Sequence, residues 1–330
     1  MTRTGAGALP PMRRLPDHVT NGARTCDVGR MTTVPELCIG VVAPFSTEEA
    51  VVADPLLAAV TEVVEASNLP VRVIALDDGR DPARSAEAVA AVLSEPGCIG
   101  LVGPKNSGCA LAAAPLAAAA GVPLVLPCAT ADELTGEGGI VFRLCCPDRA
   151  TAAAAVALAI EIRVDRLAVL ADDTAYGQGL AGTVRAAGAS AGISLAESVA
   201  GSDAVFLAMG EVEQSILMRE LRANGYRGEF ISAEGGPQAP IATLAGPVSE
   251  GAWLLYPGTP VRGRSVYAAE AADAARILLA AGTGGPDAIR AGTFDGETGR
   301  IRFTTAGERD GAVVSRYRVV DGAVRRVDNP

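Results

Sequence analysis

The chain has 330 residues, 49% of them apolar but only 4% aromatic. That is enough for one large domain or two lobes, with a core built from Ala, Val and Leu. A net charge of −10 argues against a nucleic-acid surface, and no apolar run approaches the ~18 residues of a membrane helix. A single lysine, Lys105, and a single histidine, His18, nearly remove Ser-His-Asp and Cys-His catalysis and His-rich zinc sites.

Residues 1–35 are rich in Pro, Gly and Arg, with no helical or strand period and no apolar stretch of the kind an export signal needs. They read as a disordered tail, or as an extension upstream of a start at Met31. Either reading makes the protein cytoplasmic as encoded. The folded part begins at Glu36. LCIGVVAPF (37–45) is an apolar strand ending in a Pro turn, and a helix from about Pro55 to Ala66 follows.

From Val71 to Thr135 the pattern is strand, helix, strand, helix, strand: VRVIALDDGRDP, ARSAEAVAAVLSE, CIGLVGPKNSG, CALAAAPLAAAAG, VPLVLPCATADELT. Short runs of Val, Ile and Leu suit a parallel sheet covered on both faces. Ligands of such sheets sit beyond the carboxyl ends of the strands. GPKNSG (103–108) and PCAT (127–130) are therefore expected to face one crevice, with Ser107 opening a helix over 107–120.

After Thr135, GEGGIVFRL leads into a hinge, and PDRATAAAAVALAIE starts a second lobe as a helix with Asp148 as N-cap. RLAVLADD (166–173) is a strand, AYGQGLAGTVRAAGASAG a loop entering a helix, and ISLAESV a further strand. Only Ala200, Gly201 and Ser202 separate it from DAVFLAM (203–209). Parallel neighbours need a crossover of about a dozen residues, so either these two are not partners or the lobe is trimmed here.

EVEQSILMRELRANG is amphipathic, with Ile216, Leu217 and Leu221 on one face and Gly225 as C-cap. EFISAEG is a strand, GAWLLYP crosses between lobes, and SVYAAEAADAARILLAAG is a helix. RIRF…AVVSRYRVVDGAVRRV ends the chain as an antiparallel hairpin. One lobe is expected over 36–144 and about 253–305, the other over 145–252 and about 306–330.

The seven cysteines, Cys26, Cys38, Cys98, Cys109, Cys128, Cys145 and Cys146, are odd in number and show no zinc spacing. Most lie in or beside buried strands, where a free thiol behaves as a small apolar group. The acid pairs Asp77–Asp78 and Asp172–Asp173 read as caps and turn formers. GPKNSG lacks the phosphate-loop signature, and no metal or cofactor is expected.

The blocks DDGRDPARSAEAVAAVL, IGLVGPKNSG and AAAAGVPLVLPCATADELT resemble the first lobe of type I periplasmic binding proteins. The branched-chain amino-acid (Leu/Ile/Val) receptors of ABC transporters are the closest group. The likeness continues through VFRLCCPD, RLAVLADDTAYGQGL, DAVFLAMGEVEQSILMRELRANGYRGEFISAEGG and FDGETGRIRF, roughly 36 to 322. It implies an α/β, two-lobed fold with parallel sheets flanked by helices. The second lobe is shortened, with another helix missing between Tyr256 and Val266. The function implied is that of a substrate-binding component that closes on an amino acid or small amide and serves an ABC permease. The alternatives are a cytoplasmic ligand sensor of the same fold acting on a regulator and, last, a recruited enzyme.

By the same resemblance, Ser107 and Thr130 match the carboxylate-binding residues. The backbone carbonyl of Cys128 and the Glu234 side chain match the ammonium site, Tyr176 matches a cleft tyrosine, and Tyr267 a pocket aromatic. Several positions depart from the family. STEEAVVADP replaces a longer Gly-rich stretch carrying an aromatic, and Gly210 stands where relatives often have Tyr. Glu211 and Glu213 would suit a basic or larger ligand, or serve as first-turn acids, and Lys105 would add a cation near Ser107. A first-lobe disulfide of the family matches Arg80 and Asn106 and so cannot form. Unpaired thiols favour a reducing compartment, although the family is usually extracytoplasmic.

Overall fold

The apolar run Leu37–Ala43 forms β1, six of its seven residues buried. In this computed structural model, which describes residues 36–236 and 240–327, β1 lies inside a five-stranded sheet. His18, Cys26 and the expected tail at 1–35 lie outside the described residues. Helix α1 (Ala50–Ser67) leads to β2 (Val71–Asp77), α2 (Pro82–Leu93) to β3 (Cys98–Val102), α3 (Ser107–Ala120) to β4 (Leu124–Leu126), and the sheet ends at β5 (Val141–Arg143). The order is β2-β1-β3-β4-β5, all parallel.

Alternation along β1 sends Ile39 and Val41 to one face, against Leu56 and Val60 of α1. Val42 goes to the other face, against Val89 of α2 and Ala110 of α3. Helix α1 starts five residues before Pro55, the position expected to open it. Pro55 removes the donor for the Val51 carbonyl, and Val51 is 61% exposed, so water can take that acceptor.

The second sheet follows α4 (Asp148–Glu161). Its elements are β6 (Arg166–Ala171), α5 (Ala175–Ser190), β7 (Ser194–Ala196), β8 (Ala204–Ala208), α6 (Glu211–Ala223), β9 (Glu229–Ser232), α7 (Ile241–Ala245) and β10 (Trp253–Tyr256). The chain then returns to the first sheet as α8 (Ala268–Ala281), which packs beside α1 and on β3. Helix α9 (Gly285–Ala291) and a ribbon of β11 (Phe294–Gly296) with β12 (Gly299–Ile301) come next. The hairpin of β13 (Ser315–Val320) and β14 (Ala323–Val327) closes the second sheet, in the order β14-β13-β10-β9-β8-β6-β7. No helix among the described residues is long and apolar enough to cross a membrane.

Several expectations need correction. WLLY at 253–256 does not belong to the first lobe. It pairs with β9 and β13 in the second sheet, where four buried apolar residues fill a central strand. The segment before Ser315, in turn, stays with the first lobe. Glu308 bridges to Arg143, the Arg143 N–H donates to the Gly307 carbonyl (2.9 Å), and the Arg309 N–H donates to the Arg143 carbonyl (3.1 Å). RIRF is split between β12 and the loop beyond it, so it does not join the terminal hairpin.

ISLAESV and DAVFLAM are not partners, since β7 and β8 lie on opposite sides of β6. With only three residues in β7, the return needs no helix, and 197–203 contains none; nor does 257–266. Asp148 is the first helical residue rather than the cap, a place Pro147 takes. Ile216 is 45% exposed, and Met218 is buried in its stead. Asn224 is the cap of α6, with Gly225 (φ +89°) just beyond it.

Arg143 ties the crossing segment to the first sheet. Its side chain is fully buried and meets Glu308 at 2.5 Å, while its Nη1 donates to the carbonyls of Thr130 (2.8 Å) and Ala131 (2.6 Å). Burial alone would raise the Glu308 carboxyl. The hydrogen bond and charge of Arg143, with Thr135 and Arg149, outweigh it and hold the group below the usual range. Arg143→Ala takes away the buried partner of Glu308, leaving it Thr135 and the exposed Arg149, and leaves the Thr130 and Ala131 carbonyls without that donor. A urea titration should show a loss of about 3 kcal/mol. The pair's contribution is present at neutral pH and should fade as pH falls below the usual glutamate value of ~4.3.

Candidate functional site

The carboxyl ends of both sheets border one cleft of about 540 Å³, within the range of small-molecule sites. Its first wall is the turn from β3 into α3. Gly103, at φ +87°, lets this turn pass the Val42 carbonyl, which a Cβ would meet at 2.3 Å. Lys105, Asn106 and Ser107 follow and line the cleft.

Glu49, at the start of α1, gathers three donors from separate parts of this wall. Lys105 Nζ lies 2.9 Å from its Oε2 and Asn106 Nδ2 3.0 Å from the same oxygen, while Arg80 Nε lies 3.3 Å from Oε1. Burial would raise the Glu49 carboxyl, but Lys105 and Arg80 outweigh it and hold it low. The positions matched to a family disulfide, Arg80 and Asn106, are thus joined through Glu49. The six cysteines among the described residues are all free.

Ser107 is 2% exposed, and its hydroxyl accepts a long hydrogen bond from the Ala131 N–H (3.4 Å). Cys128 also lines the cleft, and burial pushes its thiol far above the ordinary range. Thr130 does not line it. Its carbonyl takes bonds from Arg143 and from the Asp148 N–H (2.9 Å). Its side chain faces Asp148, whose carboxyl burial pushes up to about 6.

The second wall comes from the amino ends of α5 and α6 and from the loop after β9. Thr174 caps α5 by accepting from the Gly177 N–H (3.0 Å), which sets Tyr176 in the first turn facing Glu234. Burial pushes Glu234 up to about 7, although Lys105 and the Tyr176 hydroxyl pull it down. Glu211 is the first residue of α6. Burial pushes its carboxyl up to about 8, with Glu234 adding to the rise and Lys105 opposing it.

Gly210 caps α6, and a Cβ there would lie 2.6 Å from the Glu213 carboxylate. Glu213 itself reaches across the cleft to Arg80 Nη1 (3.3 Å), which also holds Glu48 at 2.6 Å. Tyr267 closes the end of the cleft. Its ring lies 5.1 Å from that of Tyr256, its N–H donates to the Tyr256 hydroxyl (2.8 Å), and its own hydroxyl has no partner among the described residues.

Ser107, Cys128, Tyr176, Glu234, Lys105, Gly210 and Tyr267 therefore border one space, and Thr130 sits behind it. Sequence reasoning missed Glu49. The acidic pair Glu48–Glu49 beyond the first strand was its signal, but nothing local ties it to partners 31 and 56 residues away. The chemistry on offer is binding. Hydroxyls and the N-terminus of the 14-residue α3 suit an anion, and two carboxylates suit cations. Among the described residues no group of acids, thiols and imidazoles is arranged to hold a metal ion.

The periplasmic binding protein family model matches residues 36–200, half of the chain. The chain belongs to that family. The leucine-, isoleucine-, valine-, threonine-, and alanine-binding protein of Pseudomonas aeruginosa is 29% identical over 201 residues, 55% of this chain and 54% of that protein. Leu/Ile/Val-binding protein homolog 1 of Brucella suis is 29% identical over 217 residues, 59% of this chain and 58% of that protein. These matches span little more than half the length of either relative.

Solved structures extend the likeness to the whole fold. A leucine binding protein, LivK, from Thermotoga maritima superposes with a TM-score of 0.78 at 20% identity, covering 88% of this chain and 98% of that one. A substrate-binding protein, LivJ, of a branched-chain amino acid transporter from Streptococcus pneumoniae, in complex with isoleucine, gives 0.73 at 19%, covering 89% and 99%. A solute-binding protein from R. palustris in complex with benzoate gives 0.74 at 15%, covering 88% and 95%. The two-lobed α/β fold is that of these binding proteins.

Glu211 and Glu234 are raised in the folded chain, so it binds more protons than the unfolded chain between their ordinary and folded values. The empty protein should therefore lose stability as pH rises from about 4.3 towards 8. Thermal midpoints across that range check this, and Glu211→Gln should flatten the slope.

Proposed function

We propose that the cleft closes on an amino acid or small amide, and that the chain is the substrate-binding component of a branched-chain amino-acid-type ABC transporter. One observation carries the reading. Ser107 and Cys128 line one wall and Tyr176 and Glu234 the other, around a single cleft. The ligand carboxylate sits at the Ser107 hydroxyl and the N-terminus of α3. The ammonium sits between the Cys128 carbonyl and Glu234, which it draws from near neutrality back to a carboxylate. Only a closed cleft engages both ends, so the ligand selects the closed form, and that form is what a permease reads.

The chain binds and does not transform its ligand, in keeping with a family and fold of binding proteins. A second reading, a ligand sensor acting on a regulator, draws on the six free thiols, which suit a reducing compartment. Fractionation of the native cell separates the two, since transport requires the protein outside the cytoplasm.

Thermal unfolding against a panel of amino acids and amides tests the binding itself. A ligand at ~100 times its Kd adds roughly 2.7 kcal/mol and raises the midpoint. Ser107→Ala and Glu234→Gln should each remove the shift. A panel that moves nothing overturns the amino-acid reading.

A further inference from the structure

Beyond the site for an α-amino and an α-carboxyl group, the cleft holds charge that such a ligand leaves unanswered. Its lining includes seven carboxylates and two cationic side chains. Both cations are already engaged: Lys105 pairs with Glu49 at 2.9 Å, and Arg80 is shared among Glu48, Glu49 and Glu213 at 2.6–3.3 Å. Asp172 is satisfied locally by the N–H (3.1 Å) and hydroxyl of Thr174 (2.5 Å). Among the described residues Glu211 and Glu234 have no ion-pair partner, and no hydrogen bond reaches the Glu211 carboxylate. They repel each other inside the same enclosure, with Lys105 and Glu49 the other charges felt at Glu211.

Two enclosed carboxyl groups without counter-ions tend to keep their protons when no ligand is bound, and one α-ammonium lets only one of them ionise. We propose that the ligand is a basic amino acid, its α-ammonium at Glu234 and its side-chain ammonium or guanidinium at Glu211. This deepens the reading above and rests on it.

The rest of the lining is compatible with such a ligand. Tyr267 is 3% exposed, its hydroxyl has no partner among the described residues, and it lines this cleft, a polar contact within reach of a ligand group. Val52, Val212, Leu244 and Val266 supply apolar walls for the methylene stem between the two charged ends. An aliphatic side chain such as leucine's would fill those walls but set a methyl group against Glu211, desolvating the carboxylate with nothing in return.

Isothermal titration of the purified chain with ornithine and with norleucine, which has a methyl group in place of the terminal ammonium, tests this. Ornithine should bind about tenfold tighter or more, as a charge-assisted contact gives, and should release more protons, read from the buffer dependence of the heat. Glu211→Gln should bring the two ligands close to parity while norleucine still binds. Norleucine binding as tightly as ornithine to the unaltered protein, or an ornithine preference that survives Glu211→Gln, overturns the proposal and leaves the amino-acid reading standing. If neither ligand binds, and neither do other amino acids, the amino-acid reading falls and the proposal with it.

Discussion

The carboxylate of Glu49 takes Lys105 and Asn106 on one oxygen and Arg80 on the other, and the first wall depends on this contact. It joins the start of α1, the turn after β2 and the turn after β3, three segments with no covalent link near the cleft. Lys105 is the sole lysine of the chain, and its charge is spent holding the wall. Because Glu49 consumes that cation and shares Arg80, the opposite wall has no basic side chain left for Glu211 and Glu234. The electrostatic character of the cleft thus follows from how its first wall is built.

The wall matters because the ligand meets backbone as much as side chain. Ser107 and the N–H groups of α3 begin directly after Lys105 and Asn106, so a shift of the turn would move every first-lobe contact together. Arg143 performs the corresponding task behind the cleft, holding the carbonyls of Thr130 and Ala131 against Glu308. Cleft geometry is thus set by two groups of ion pairs, one in front and one behind, rather than by packing alone. In a core so poor in aromatic residues, that division of labour is physically reasonable.

Much of this was legible in the residues. Helix α3 spans 107–120 as its small apolar run and the following Gly121 indicate, and Gly121 takes the left-handed cap at φ +66°. The strands from Val71 to Thr135 declare themselves because parallel strands buried on both faces are continuous runs of Val, Ile and Leu. WLLY misled because an apolar run does not say which of two sheets it enters. That depends on pairing with β9 and β13, which no local pattern encodes. Thr130 was expected to face the cleft, but its neighbours Arg143 and Asp148 engage it from behind, and both lie more than ten residues away. Glu49 escaped notice for the same reason.

The interleaving of the two sheets constrains how the chain reaches its native state. The first sheet is laid down by residue 143, yet α8, which covers the face shared with α1, does not appear until 268–281. The second sheet likewise waits for β13 and β14 at 315–327. Neither lobe is complete until segments far along the chain have been made, so the face of β3 that α8 covers stays bare until residue 281 has emerged. Long sequence separations of this kind slow folding and expose sheet surface to self-association. The wait ends at α8 for the first lobe and at the terminal hairpin for the second, so the chain's aggregation hazard is concentrated in its unfinished forms.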